Sequence, residues 1–269
     1  MQFGWNPCIE LEGRMHTIIK DAFWLRRHHS DFTILEFSID YHVAARLDRV
    51  FNPDVRRALK NFITENDFQL FLHVLYSGRG IQPGNEEYLD KVNKIAEFFS
   101  FAEPSLIILH SGRRGRREID EFLDYVKEAL KSIPFRAAVE VGRKGFFPGS
   151  FEELKAFASS IPVVLNTSLL WSMAEFSEEK LQAGLAEAGS WKVESIHWGG
   201  SRRRDEKNKR ELKRELHNLP LSTPGFPLER FASLFRCENN VLEIVGANVT
   251  KINEELKALK VALGLKLDA

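Results

Sequence analysis

The sequence predicts a (β/α)8 barrel, and three observations carry that prediction. Eight short β-branched or aromatic runs alternate with segments of helical spacing along the 269 residues. No glycine-rich dinucleotide fingerprint accompanies them, which favours closure of a parallel sheet over a doubly wound open one. Four of the runs stop on a metal-ligand side chain, at His73, His110, Glu140 and His197, and a fifth does so at Glu243.

The strand-like runs fall at about 2–5, 33–38, 69–74, 105–110, 136–141, 162–166, 193–197 and 240–244. Between the third and fourth, Tyr88, Val92, Ile95, Ala96 and Phe99 recur at three and four residues, so 85–101 reads as an amphipathic helix. Helices are likewise expected over 117–131, 151–158 and 249–263. Crossovers of this length make the strands parallel. With 43% hydrophobic residues and no Pro/Ser-rich linker, the chain is expected to form one domain over 1–269.

Net charge is zero and the pI is near 7.1, so no global field drives the chain onto nucleic acid or a membrane; any electrostatic preference is local. The two cysteines, Cys8 and Cys237, have neither finger nor CxxC spacing, which argues against a disulfide framework and against a cysteine zinc site. The N-terminal segment lacks the features of a secretory leader, and no apolar run reaches the roughly 20 residues of a membrane helix. A cytoplasmic protein is expected.

Barrel active sites form at the C-terminal ends of the strands. His73, His110, Glu140, Asn166, His197 and Glu243 all lie at or near such ends and would face one cavity. Imidazole and carboxylate suit Zn²⁺, Mn²⁺ or Fe²⁺, and a carboxylate can bridge two ions. Glu140 is the candidate bridge. An isolated strand-end His would be read as an ordinary backbone-bonded residue; the recurrence is what argues for a site.

The order His73, His110, Glu140, His197, Glu243 resembles the endonuclease IV family of apurinic/apyrimidinic endonucleases, within the xylose isomerase-like barrels. His73-Val74-Leu75-Tyr76 is similar to the family's His-x-x-Tyr, and His110-Ser111-Gly112 to its His-Pro-Gly. Glu140-Val141-Gly142-Arg143-Lys144-Gly145 is similar to its Glu-Asn-x-x-Gly. The resemblance implies a first zinc on His73, His110 and Glu140, and a second on Glu140, His197 and Glu243. The family's aspartate in the second site reads Asn166 here, which can offer only a carbonyl oxygen and no charge. The histidine expected three residues on reads Leu169, and the Asp-x-His pair is echoed only by Glu215-Leu216-His217, which fit the exposed face of a charged helix equally well. The expectation is therefore one or two ions, zinc first and manganese or iron as alternatives, with no trinuclear cluster.

Charge placement bears on the substrate. The segment after His110 carries Arg113, Arg114, Arg116 and Arg117, and the segment after His197 carries Arg202, Arg203 and Arg204. On a barrel both stand on the rim that bears the metal ligands, where guanidinium groups suit phosphate. Either run alone reads as a solvated face; together they point to a polyanion. Tyr76, Trp171 and Trp198 lie near the same strand ends, as base-stacking or as packing residues. The expected function is metal-dependent phosphodiester hydrolysis on damaged or abasic DNA, in the manner of a DNA-repair endonuclease, with Glu140 orienting or deprotonating the nucleophile. Two alternatives stay open: a metal-dependent sugar isomerase or epimerase of the same superfamily, and a barrel that has lost catalysis and only binds nucleic acid.

Overall fold

The structure is a computed structural model that describes residues 1–7, 14–40, 46–75, 80–115, 117–141, 146–202 and 216–267. Its strands are β1 (Gln2–Asn6), β2 (Phe32–Asp40), β3 (Gln69–Leu75), β4 (Leu106–His110), β5 (Ala137–Val141), β6 (Val163–Asn166), β7 (Val193–Trp198), the short pair β8 (Gly200–Arg202) and β9 (Leu216–Leu219), and β10 (Asn239–Glu243). All but β8 and β9 close into a parallel barrel in chain order, with β10 returning to β1. The barrel is therefore built from the strand-like runs read in the sequence. One stretch departs from expectation: the charged segment before Pro220 ends in β9, which pairs antiparallel with β8 instead of continuing a helix.

The helices are α1 (Met15–His28), α2 (Leu47–Val50), α3 (Pro53–Glu65), α4 (Glu86–Phe98), α5 (Ile119–Lys131), α6 (Phe151–Ser160), α7 (Thr167–Met173), α8 (Glu178–Gly184), α9 (Leu228–Leu234) and α10 (Val249–Ala262). Several begin on a side chain that satisfies free backbone N–H groups. Asn52 accepts from Asp54 and Val55, Ser150 from Glu153, and Asn248 from Lys251. Their apolar stripes, such as Tyr88, Val92, Ile95 and Ala96 of α4, pack onto the outer faces of the strands. None of the described helices is long and apolar enough to cross a membrane.

Alternation along the strands positions the site. Ile34, Phe71, Leu106, Ile108, Ala138, Val164 and Val241 form an apolar cluster separate from the strand–helix core, filling the barrel interior. Side chains repeat on one strand face every second residue. Two residues beyond Ile34, Phe71, Ile108, Ala138, Val164 and Val241 come Glu36, His73, His110, Glu140, Asn166 and Glu243. The apolar layer is thus a floor, and the polar layer lies above it at the C-terminal mouth. Register then aligns neighbours: Ser38 opposite His73, His110 opposite Glu140, Asn166 opposite His197, and Asn6 opposite Glu243. Gly4 lets β1 join this ring closely, since a Cβ there would lie 2.5 Å from the Ile34 Cβ.

Candidate metal centre

Six ionisable side chains converge above the apolar floor: Glu36, His73, His110, Glu140, His197 and Glu243. Two overlapping groups have donor atoms close enough to share an ion. One is His73, His110 and Glu140, and the other is Glu36, His73, His197 and Glu243. All are buried except His110, whose side chain is 22% exposed and which opens onto a cleft lined also by Gly80, Ser111, Glu140, Phe146 and Leu169. His110 is therefore the point at which the cluster meets solvent.

In the first group, His73 Nε2 lies 3.0 Å from His110 Nε2 and 3.4 Å from Glu140 Oε2, and His110 Nδ1 is 3.3 Å from that oxygen. These contacts use both nitrogens of His110, and a ring gives an ion only one of them; with one donor atom per residue, the three donors lie within 4.8 Å of one another, close enough to gather on one ion. Deeper in the barrel, His197 Nδ1 lies 3.0 Å from Glu140 Oε1 and 3.6 Å from Glu243 Oε2. Its Nε2 lies 3.0 Å from Glu36 Oε2, and His73 Nδ1 lies 3.1 Å from Glu36 Oε1.

The electrostatics follow from burying three carboxylates among imidazoles. Burial alone would lower His73, but the Glu140 charge and hydrogen bonds to Glu140 and Glu36 push it up to about 10. His197 is raised well above the ordinary value, burial being outweighed by Glu36 and by hydrogen bonds to Glu140, Glu243 and Glu36. Burial raises Glu36, yet His197 and His73 hold it down to about 2, and Glu140 is likewise held well below its ordinary value, chiefly by His73. Protons on the two imidazoles thus balance the carboxylates when no cation does. A divalent ion takes the place of such protons, because histidine ligates in its neutral form. By donor chemistry and spacing, the residues fit a divalent metal.

Asn166 enters the site differently from the sequence-based expectation of carbonyl coordination. Its Oδ1 accepts from the backbone N–H groups of Ser168 and Leu169 and from the Ser168 hydroxyl, capping α7. Backbone N–H groups only donate, so the amide orientation is fixed. Nδ2 therefore faces inward and donates to Glu140 Oε1 at 3.0 Å and Glu243 Oε2 at 2.8 Å. An N–H₂ group occupies the place where a carboxylate or carbonyl would have offered a lone pair.

His217 lies half-buried on β9 and is not in either donor group among the described residues. Glu215, Tyr76, Arg116, Arg203 and Arg204 lie outside the described residues. Trp171 and Trp198 are buried, and the Trp198 indole donates to Asn240, so both pack in the core and offer no face to a base. Arg117 and Arg202 are exposed. Arg114 lies 3.5 Å from Glu153, whereas Arg113 has no carboxylate partner among the described residues and sits over the Phe146 ring at the cleft edge. Glu36 and Asn6 are the site residues that strand-end reading misses. Each follows an interior-facing residue by two, at Ile34 and Gly4, which is the signal that would have found them.

No protein-family model matches this sequence, and no curated protein matches it either. Solved structures match along almost the whole chain. Endonuclease IV from Thermus thermophilus superposes with a TM-score of 0.66 at 14% identity, over 98% of this chain and 99% of that one. A D-tagatose 3-epimerase-like protein gives 0.62 at 14% identity, over 98% and 97%. The probable 3-DHS dehydratase of petrobactin synthesis from Bacillus anthracis gives 0.62 at 11% identity, over 97% and 99%. Other matching structures include a xylose isomerase domain protein from Alicyclobacillus acidocaldarius and a fusion protein that contains a xylose isomerase-like TIM barrel. At these identities the likeness is one of fold, shared by an endonuclease, an epimerase-like protein and a dehydratase.

Proposed function

We propose that this chain is a metal-dependent phosphodiester hydrolase acting on DNA, damaged or abasic, with zinc at His73, His110 and Glu140. The observation that carries the reading is the pairing of an exposed-edge ligand, His110, with the guanidinium of Arg113, which has no carboxylate partner among the described residues, on the segment that follows it and beside the same cleft. A divalent ion bound there supplies a water of lowered pKa and a Lewis acid for a phosphoryl oxygen. Glu140 Oε2, between the two imidazoles, would hold the ion and orient the water on it. Arg113 is placed to hold a phosphate oxygen at the cleft edge. An ion bound there would keep Glu140 ionised, the part that protonated His73 plays without one.

Glu140→Gln is expected to abolish nicking of an abasic-site duplex while circular dichroism shows the fold retained. Nicking at the parent rate in that variant refutes the proposal. A second reading draws on the Glu140 and Glu243 carboxylates meeting at Asn166 Nδ2: two glutamates across one point suit proton transfer beside a carbonyl, as in a sugar isomerase or epimerase. Ketose turnover with about one ion per chain, and no nicking, would favour it.

A further inference from the structure

Glu36 is fully buried on β2 and addresses two imidazoles with its two oxygens. Its Oε1 also accepts from Asn6 Nδ2 at 2.7 Å, and Asn6 is itself held by Ser38 through contacts of 2.8 and 3.1 Å. The carboxylate is therefore clamped from the β1 side before any ion is considered. On the other side, the two rings present opposite atoms to it. His73 turns Nδ1 to Glu36 and Nε2 to His110 and Glu140. His197 does the reverse, turning Nε2 to Glu36 and Nδ1 to Glu140 and Glu243.

A neutral imidazole has one N–H and one lone pair, and the partner of the first decides where the second points. A carboxylate only accepts. A ring that donates to Glu36 must offer its lone pair at the far nitrogen, on the Glu140 side. We propose that Glu36 is the positioning residue that selects the nitrogen His73 offers to the ion, Nε2, and at the same time turns Nδ1 of His197 towards Glu140 and Glu243. This rests on the metal centre proposed above. One carboxylate thereby imposes opposite tautomers on the two rings, and the Asn6–Ser38 clamp fixes the distance at which it does so. Each Glu36 oxygen already receives an N–H direction from a ring, with Asn6 as a third donor, so Glu36 stands behind the ligands and not among them.

The experiment is zinc titration of the full chain by competition with a chelating dye, with ¹⁵N–¹H correlation of the histidine rings in the zinc-loaded protein. Glutamine at 36 keeps the shape but offers one oxygen and one N–H₂, so it can accept from only one of the two rings. Glu36→Gln is expected to weaken zinc binding by about 10–100-fold, the usual effect of losing an outer partner, with stoichiometry unchanged and one ring switched in tautomer. Should Glu36→Gln fail to fold, Asn6→Ala carries the same test: it keeps the carboxylate but frees it, and weaker zinc binding at unchanged stoichiometry is expected. Unchanged affinity with unchanged ring tautomers in the variant that folds overturns the proposal. So does the loss of one zinc per chain in Glu36→Gln, which would make Glu36 a ligand. A parent chain that binds no zinc refutes the metal centre itself, and this assignment with it.

Discussion

Asn166→Asp exchanges an N–H₂ for an oxygen at nearly constant shape, so its effect isolates the charge balance of the centre. The cap of α7 survives, because an aspartate oxygen still accepts from Ser168 and Leu169. The inward side does not, since donors at 3.0 Å from Glu140 and 2.8 Å from Glu243 become a third carboxylate oxygen facing two others. A hydrogen bond to a charged group contributes roughly 1.5–3 kcal/mol, so losing two costs roughly 3–6 kcal/mol before any repulsion is added. For a chain of this size each kcal/mol lowers Tm by roughly 2–4 °C, which puts the expected drop for metal-free protein at roughly 6–24 °C. The deficit should shrink as pH falls, when the new carboxyl takes up a proton and can donate one bond again. With zinc present the deficit should narrow, the variant gaining more stability from zinc than the parent does, because its third carboxylate then faces a cation. Thermal unfolding followed by circular dichroism, with and without chelator, measures both effects. A chelated variant within about 0.5 kcal/mol of the parent would refute the reasoning, since it would mean that Glu140 and Glu243 do not both rest on the Asn166 amide.

Metal-free protein should be most stable in mildly acidic solution. The His73 contribution is complete below its ordinary 6.5 and lost as pH rises through about 10, while that of Glu36 is complete above 4.5 and lost as pH falls through about 2. Chelated Tm should therefore plateau between about pH 4.5 and 6.5 and fall on both sides; a Tm that climbs steadily from about pH 6 to about pH 9 would contradict this. Gly80→Ala would place a Cβ 2.0 Å from the His110 carbonyl oxygen, which also accepts from the Ile81 N–H at 2.8 Å. The end of β4 must then shift, at a cost of roughly 1–3 kcal/mol in urea unfolding, and with it His110 and zinc affinity; unchanged values in both assays would show that the close approach is dispensable. Arg113→Ala should weaken duplex binding and reduce the slope of log K against log salt by about 0.9, as expected for one phosphate contact. An unaltered slope would remove Arg113 from the interface.

The barrel was legible because each strand is short, apolar and bounded, and because helical spacing separates one from the next. His73, His110, Glu140, His197 and Glu243 were legible for a related reason: an apolar run that stops on a polar residue marks the mouth. Glu36 escaped because β2 continues through Phe37, Ser38 and Ile39 to Asp40, leaving the carboxylate inside the run. Asn6 escaped as an uncharged residue at the end of a strand whose interior position is only a glycine. Asn166 was found, but its orientation was not, since the competition of the α7 N-terminus for its oxygen is a tertiary fact with no local signature. The indoles of Trp171 and Trp198 sit near the right strand ends, but the alternation of strand faces and the helix packing turn them into the core. β9 went unread because the charged stretch before it has helical composition.

Asn166 is also a mechanical joint. Its inward amide rests on Glu140 and Glu243, while its oxygen holds the first turn of α7. That turn grips the β8–β9 pair: the Ser168 hydroxyl lies 3.0 Å from Asn218 Oδ1 on β9, Ser201 on β8 donates to the Ser168 carbonyl, and Thr167 exchanges hydrogen bonds with Gly199 just before β8. A change of charge at the carboxylates therefore has a continuous route, through one side chain, to the β8–β9 strand pair beside α7. The amides of Ser168 and Leu169 report on it, and their hydrogen-exchange rates should register occupancy of the centre from outside it, turning a structural cap into a gauge of whether the barrel is loaded.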